Sequence, residues 1–113
     1  MRRVSLTIQF GEQTIEMKDS SPPIMMGRDR QNDLILDDEW VSRNHASIEF
    51  RQGHFILVDR STNGTYVTSG QEDEMRVHRD EVHLGKTGTI SLGQIKQNRE
   101  EVSLIHFDCK STI

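Results

Sequence analysis

Apolar and polar residues alternate almost from the first position of this chain. Val4, Leu6, Ile8 and Phe10 are separated by polar side chains, a period of two that turns one face of an extended strand toward a core. Residues 13–17 follow after Gly11-Glu12, a two-residue break that predicts a hairpin. Ser20-Ser21-Pro22-Pro23 interrupts the pattern, and Ile24-Met25-Met26 then leads into Gly27. Further strands are predicted over residues 33–36, 46–50, 54–58 and 65–67, with Gln52-Gly53 closing a second tight turn. Residues 68–74 carry Ser, Gly and acidic side chains and read as a solvated loop. Val82 and Leu84 alternate with His83, which places His83 on an outer face. Residues 87–92 and 102–107 complete the set, while residues 95–100 are too polar and too few for a helix and read as a loop. About eleven short strands at this spacing predict an all-β sandwich.

Composition narrows the class of molecule. A chain of 113 residues, 33% hydrophobic and with two prolines, fits a single domain over residues 1–113 with a modest core. No segment approaches the ~20 apolar residues of a membrane span. The basic start MRRVSLTIQF leads into alternation rather than a long apolar run, so neither a signal peptide nor an anchor is expected. Cys109 has no second cysteine to pair with, which points to a reducing, cytoplasmic setting and to a half-buried place in the last strand. The net charge is −4, from 14 basic and 18 acidic residues. A nucleic-acid binder draws its affinity from a basic stripe. None is visible, and acids cluster at Asp37-Asp38-Glu39 and Glu72-Asp73-Glu74. An isolated phosphate is a different problem, because a few aimed donors hold it even on an acidic protein.

Such donors lie in three polar clusters at strand ends: Gly27-Arg28, Ser42-Arg43-Asn44-His45, and Asp59-Arg60-Ser61-Thr62-Asn63-Gly64-Thr65. The planar guanidinium of Arg28 presents two parallel donors to phosphate oxygens, a geometry lysine cannot copy. Ser42 adds a hydroxyl and Arg43 a second charge. Asn63-Gly64 is the chemistry of a tight turn, where Gly permits positive φ and Asn tolerates it. His45, three residues after Ser42, offers a competing reading as the base of a small Ser–His hydrolase. Other groups fade. His78 and His83 lack the ligand spacing of zinc, Asp37-Asp38-Glu39 lacks a calcium loop, and Gly85-Lys86-Thr87 lacks the earlier glycine of a nucleotide loop. No metal or cofactor is expected.

The order and spacing of Gly27-Arg28, Ser42 with His45, and Asp59, Ser61, Asn63, Gly64 and Thr65 resemble the forkhead-associated (FHA) domain, and the likeness covers essentially the whole chain. The resemblance implies a non-enzymatic sandwich with ligand loops at one end. It implies phosphate contacts from Arg28, Ser42, Arg43 and Thr62, a peptide-backbone contact from the Asn63 amide, and structural support from Gly27, His45, Gly64 and Thr65. The implied partner is a protein or peptide carrying phosphothreonine, with no nucleic acid or membrane involved. Trp40, two residues before Ser42, falls where such domains read the side chain three places beyond the phosphothreonine. An aromatic there favours an aliphatic or basic residue, with Asp38 and Glu39 repelling acid; its competing role is a core residue. Residues 82–93 are similar to FHA modules attached to bacterial class III nucleotide cyclases, which implies a regulatory piece of a longer signalling protein. A rival within the same fold is a structural domain that binds a protein partner without phosphate.

Overall fold

The computed structural model describes residues 3–112. The described residues form eleven strands: β1 Arg3–Phe10, β2 Gln13–Lys18, β3 Ile24–Gly27, β4 Leu34–Ile35, β5 Ala46–Arg51, β6 His54–Asp59, β7 Thr65–Ser69, β8 Met75–Val77, β9 Glu81–His83, β10 Thr87–Leu92 and β11 Ile105–Thr112. They form a six-stranded sheet, β2-β1-β11-β10-β7-β8, and a five-stranded sheet, β4-β3-β5-β6-β9. Every pairing is antiparallel except β3 with β4. The two sheets pack as a sandwich, as the alternation predicts.

The core lies between the sheets. Leu6 and Ile8 of β1, Ile90 of β10 and Ile105 of β11 meet Met26, Ile48 and Leu57 of β3, β5 and β6, all at 1% exposure or less. Each such burial contributes roughly 1.5–3 kcal/mol. Two-residue loops close β1–β2 and β5–β6, with Phe10 opposite Gln13 and Arg51 opposite His54. Val82 and Leu84 pack against the core, while His83 is exposed and stacks on His54 with ring centroids 4.4 Å apart. Cys109 is half-buried in β11.

Several boundaries differ from the sequence reading. The strand expected over residues 65–67 continues to Ser69, because Thr68 and Ser69 pair with Thr89 and Gly88 of β10; ladder hydrogen bonds override the polar side chains. β8 was not foreseen, since Val77 is its one buried residue and no alternation marks it. Residues 33–36 supply a two-residue strand, Leu34–Ile35. The final strand begins at Ile105, not at Val102. Glu101–Ser103 instead forms a 3₁₀ turn with Val102 exposed, and the pairing with β1 runs from Ile105 opposite Phe10 to Thr112 opposite Arg3. A further 3₁₀ turn, Lys96–Asn98, lies within the expected loop over residues 95–100.

Register decides where the three polar clusters go. Met26 of β3 pairs with Ala46 of β5, and Ala46 pairs with Asp59 of β6. The end of β3, the start of β5 and the end of β6 therefore share one edge of the sandwich. In the other sheet Thr65 pairs with both Leu92 and Val77, which brings the start of β7 and the ends of β8 and β10 to that same end.

Candidate functional site

The site has two layers. The lower one is buried and centred on Asp59, at 2% exposure. Its Oδ1 accepts hydrogen bonds from Ser61 Oγ at 2.7 Å and Thr65 Oγ1 at 2.6 Å, and its Oδ2 accepts from the N–H of Ser61 at 3.1 Å and of Arg79 at 2.8 Å. Burial alone would raise the Asp59 pKa. These four donors outweigh it and hold the carboxyl below its ordinary value. Ser61 Oγ also accepts from Gly64 N–H at 2.7 Å, which closes the third loop into a turn. Gly64 adopts φ +93 there, a conformation that residues with a Cβ rarely take.

His45 is completely buried beside Asp59. Its Nδ1 accepts from Ser42 N–H at 3.0 Å and its Nε2 lies 2.8 Å from the Gly64 carbonyl, to which it donates. Those two bonds select the Nε2–H tautomer. Burial lowers the His45 pKa, with the Gly64 carbonyl and the Asp59 charge opposing but not cancelling it, so the ring is neutral at pH 7. Both ring nitrogens being committed to backbone, His45 has no lone pair for the Ser42 hydroxyl. It ties the second loop to the third and cannot activate a nucleophile.

The upper layer is exposed. Arg28 N–H donates to Ser42 O at 3.0 Å and Asp29 N–H to Arg43 O at 3.2 Å, so the first two loops run side by side. Gly27 is required by that approach, since a Cβ there would lie 2.2 Å from the Arg43 carbonyl oxygen. Asn32, buried beneath, donates to the Asp29 and Arg43 carbonyls at 2.9 and 2.8 Å. Ser42 Oγ accepts from Thr62 N–H at 3.1 Å, which leaves the hydroxyl hydrogen free to donate outward. On these two adjacent loops Arg28, Asp29, Arg30 and Arg43 line an open cavity of about 430 Å³. The three guanidiniums make no side-chain hydrogen bond or ion pair among the described residues.

The structure thus gathers Arg28, Ser42, Arg43 and Thr62 at one end of the sandwich. It places Asn63 beside them with a job of its own, as Asn63 Nδ2 donates to the Trp40 carbonyl at 2.9 Å. Trp40 is not a core residue; it is 48% exposed. Its loop is braced from far along the chain. Arg99, with a side chain only 4% exposed, bonds Asp38 Oδ2 through Nη1 at 2.6 Å and the Leu92 carbonyl through Nη2. Asp38 Oδ1 in turn accepts from Trp40 N–H at 2.8 Å. Burial would raise the Asp38 pKa, but the Trp40 N–H and Arg99 lower it. The expected repulsion of acidic ligands by Asp38 is therefore offset by Arg99.

Arg30, Arg79 and Arg99 are among the residues that escaped the sequence reading. Arg30 lines the cavity with Arg28 from the bend that follows β3, where no strand alternation marks it. Arg79 holds φ 53 without being glycine, donating its N–H to Asp59 and its Nε to Ser61 O at 3.4 Å; nothing in His78-Arg79-Asp80 announces this. Arg99 braces a loop 61 residues away, which no local pattern reveals. Among the described residues no group of three or more His, Cys, Asp or Glu is placed to hold a metal, and no helix is long and apolar enough to cross a membrane.

Comparison with known proteins agrees with this geometry. The FHA domain family model matches residues 24–93, from β3 through all three loops to the end of β10. The chain belongs to the FHA domain family. The oxoglutarate dehydrogenase inhibitor of Corynebacterium efficiens is 39% identical over 73 residues, covering 63% of this chain and 51% of that protein. The glycogen accumulation regulator GarA of Mycobacterium tuberculosis is 38% identical over 79 residues, covering 68% of this chain and 49% of GarA. The chain spans about half the length of these curated relatives. In fold, this FHA domain is similar to the FHA-1 domain of Mycobacterium tuberculosis Rv1747, with a TM-score of 0.71 at 19% identity over 95% of this chain and 97% of that one. It is also similar to the MEK1 FHA domain solved with a phosphothreonine peptide of HOP1, with a TM-score of 0.67 at 22% identity over 91% and 94% of the two chains.

Proposed function

We propose that this FHA domain is a non-enzymatic module that recognises phosphothreonine in a partner protein and makes their association depend on phosphorylation. The observation that carries the reading is the cavity of Arg28, Arg30 and Arg43 beside Ser42, whose donors are unpaired while the layer beneath is fully bonded. A phosphate carries about −1.5 to −2 charge and three acceptor oxygens at neutral pH. Arg28 and Arg43 supply charge and paired N–H donors, Ser42 its hydroxyl, and Thr62 a contact from the third loop. Asn63, already held by Trp40, keeps its side-chain oxygen and second amide hydrogen for the peptide backbone.

The reading draws support from the MEK1 domain, of the same fold and bound to a phosphothreonine peptide, and from relatives named as regulators and inhibitors. A cytoplasmic protein phosphorylated by a threonine kinase is the partner this chemistry fits. Control of an attached signalling enzyme is a further expectation, carried by the cyclase-like residues 82–93 alone.

Titration calorimetry with one peptide in phosphorylated and unphosphorylated forms tests the reading. The phosphorylated form is expected to bind at least a hundredfold tighter. Equal binding of the two would replace it with the phosphate-independent partner surface, and turnover of an ester substrate would exclude both.

A further inference from the structure

What the Asn63 amide offers a peptide depends on which way round it sits. Its nitrogen donates and its oxygen accepts, so half a turn about the terminal torsion exchanges the two. The third loop does not decide this. It fixes the Asn63 backbone, with Gly64 N–H on Ser61 Oγ at 2.7 Å and Arg76 Nη2 on the Asn63 carbonyl at 3.3 Å. The amide is set by the Trp40 carbonyl, which can only accept and so draws Nδ2 to itself at 2.9 Å.

Trp40 lies in a short turn made by its own neighbours. Val41 N–H donates to the Asp38 carbonyl at 3.0 Å, and Trp40 N–H to Asp38 Oδ1 at 2.8 Å. These bonds shape the turn but do not seat it over the third loop. The seat is the segment that follows β10. Arg99 joins Asp38 Oδ2, at 2.6 Å, to the carbonyl of Leu92 at the end of β10. Gly93 N–H bonds the Gly64 carbonyl at 2.9 Å, and a Cβ on Gly93 would lie 2.3 Å from the Trp40 oxygen. The strand end that holds the third loop therefore also holds the Trp40 carbonyl. Arg99 is an unusual brace. Its side chain is 4% exposed, and its Nε–H is buried without an acceptor among the described residues, an arrangement that costs stability. It also lies beyond residues 24–93, the span of the FHA domain family model.

We propose that Arg99 is a positioning residue for ligand recognition. Through Asp38 and the Trp40 backbone it fixes the orientation of the Asn63 amide, and with it the grip on the peptide backbone. The proposal rests on the phosphothreonine reading and deepens it. Arg99 is buried, so it acts through Asn63 and not by contact with the ligand.

The test is a double-mutant cycle on the whole chain, read by calorimetry with a phosphothreonine peptide selected from an oriented library. Asn63→Ala is expected to weaken binding about tenfold, and Arg99→Gln about threefold to tenfold. Because the two act as a unit, the double variant should bind within about twofold of Asn63→Ala alone, whereas the losses from Arg99→Gln and Arg28→Ala should multiply. In the free protein the side-chain NH2 signals of Asn63 should shift on Arg99→Gln in a nitrogen–proton correlation spectrum. Should Arg99→Gln fail to fold, Asp38→Ala combined with Arg99→Leu removes both charges, leaves neither stranded and enters the same cycle. An unchanged dissociation constant, a loss that multiplies with that of Asn63→Ala, or unmoved Asn63 signals would overturn the role of Arg99 and leave the phosphothreonine site standing. A wild-type protein that binds no phosphopeptide would overturn both.

Discussion

Two polar regions lie one on top of the other at the same end of this sandwich, and they are built on opposite terms. Around Asp59 every donor has an acceptor: four hydrogen bonds converge on one carboxylate, and His45 and Ser61 are bonded on both sides. Above it the guanidiniums of Arg28, Arg30 and Arg43 are exposed and unpaired. The difference teaches what each region is for. Buried polar groups must be satisfied internally because water cannot reach them, and the resulting network fixes the loop backbones. Exposed donors cost little when free, so they can be kept for a ligand, held in place by the layer below.

The sharpest way to break the comparison is to remove the hub of the lower layer. Asp59→Ala strands two hydroxyls and two N–H groups in a buried site and is expected to lower stability by about 3–5 kcal/mol, measured by urea unfolding. A loss under about 1 kcal/mol would mean that the network is ornamental. Linkage gives the same residue a pH signature. Its folded pKa is depressed, so its contribution is fully present above the unfolded value of about 3.9 and is lost as pH falls through the folded value. Wild-type stability should therefore decline below about pH 4, and the Asp59→Asn protein should show a shallower decline.

Removing a member of the upper layer should do the reverse. Arg28→Ala is expected to weaken phosphopeptide binding by about ten- to a hundredfold, since a charge-assisted contact contributes ~1.5–3 kcal/mol. Unfolding should change by no more than about 0.5 kcal/mol. Calorimetry and urea titration on the same preparation check both halves, and an unchanged dissociation constant would remove Arg28 from the site.

A finer contrast asks how closely the upper layer fits its ligand. Phosphothreonine and phosphoserine offer the same oxygens to Arg28, Ser42 and Arg43, so any discrimination comes from the γ-methyl. A close-fitting slot raises a methyl-sized difference to about 1–3 kcal/mol. Matched peptides should then differ at least tenfold in favour of phosphothreonine in a competition anisotropy assay, and equal affinities would indicate a generic phosphate site. The smallest effect concerns Trp40, a residue 48% exposed whose backbone is bonded to Asp38 and Asn63. Its fluorescence should shift on peptide binding, and a flat emission titration at saturating peptide would place the ligand away from that loop.

Much of this arrangement is local and could be read from residue order. The alternation of Leu6 with Ile8 set a strand face because side chains on a strand repeat every two residues. The three clusters, with Asp59, Ser61, Asn63 and Gly64 spaced for a bonded turn, marked the loops before their positions were known. Other features depended on which strands became neighbours. β8 carries too little apolar signal to declare itself and exists through its pairing with β7. Arg79 takes a positive φ that the buried Asp59 stabilises. Arg99 braces the Trp40 loop from 61 residues away, and Arg76 reaches Asn63 through the β7–β8 register. Periodicity reports only whether a residue faces in or out, whereas a polar contact across the fold requires two segments to meet at a given register. That meeting is decided by packing of the whole sandwich, and the sequence near either partner carries no trace of it.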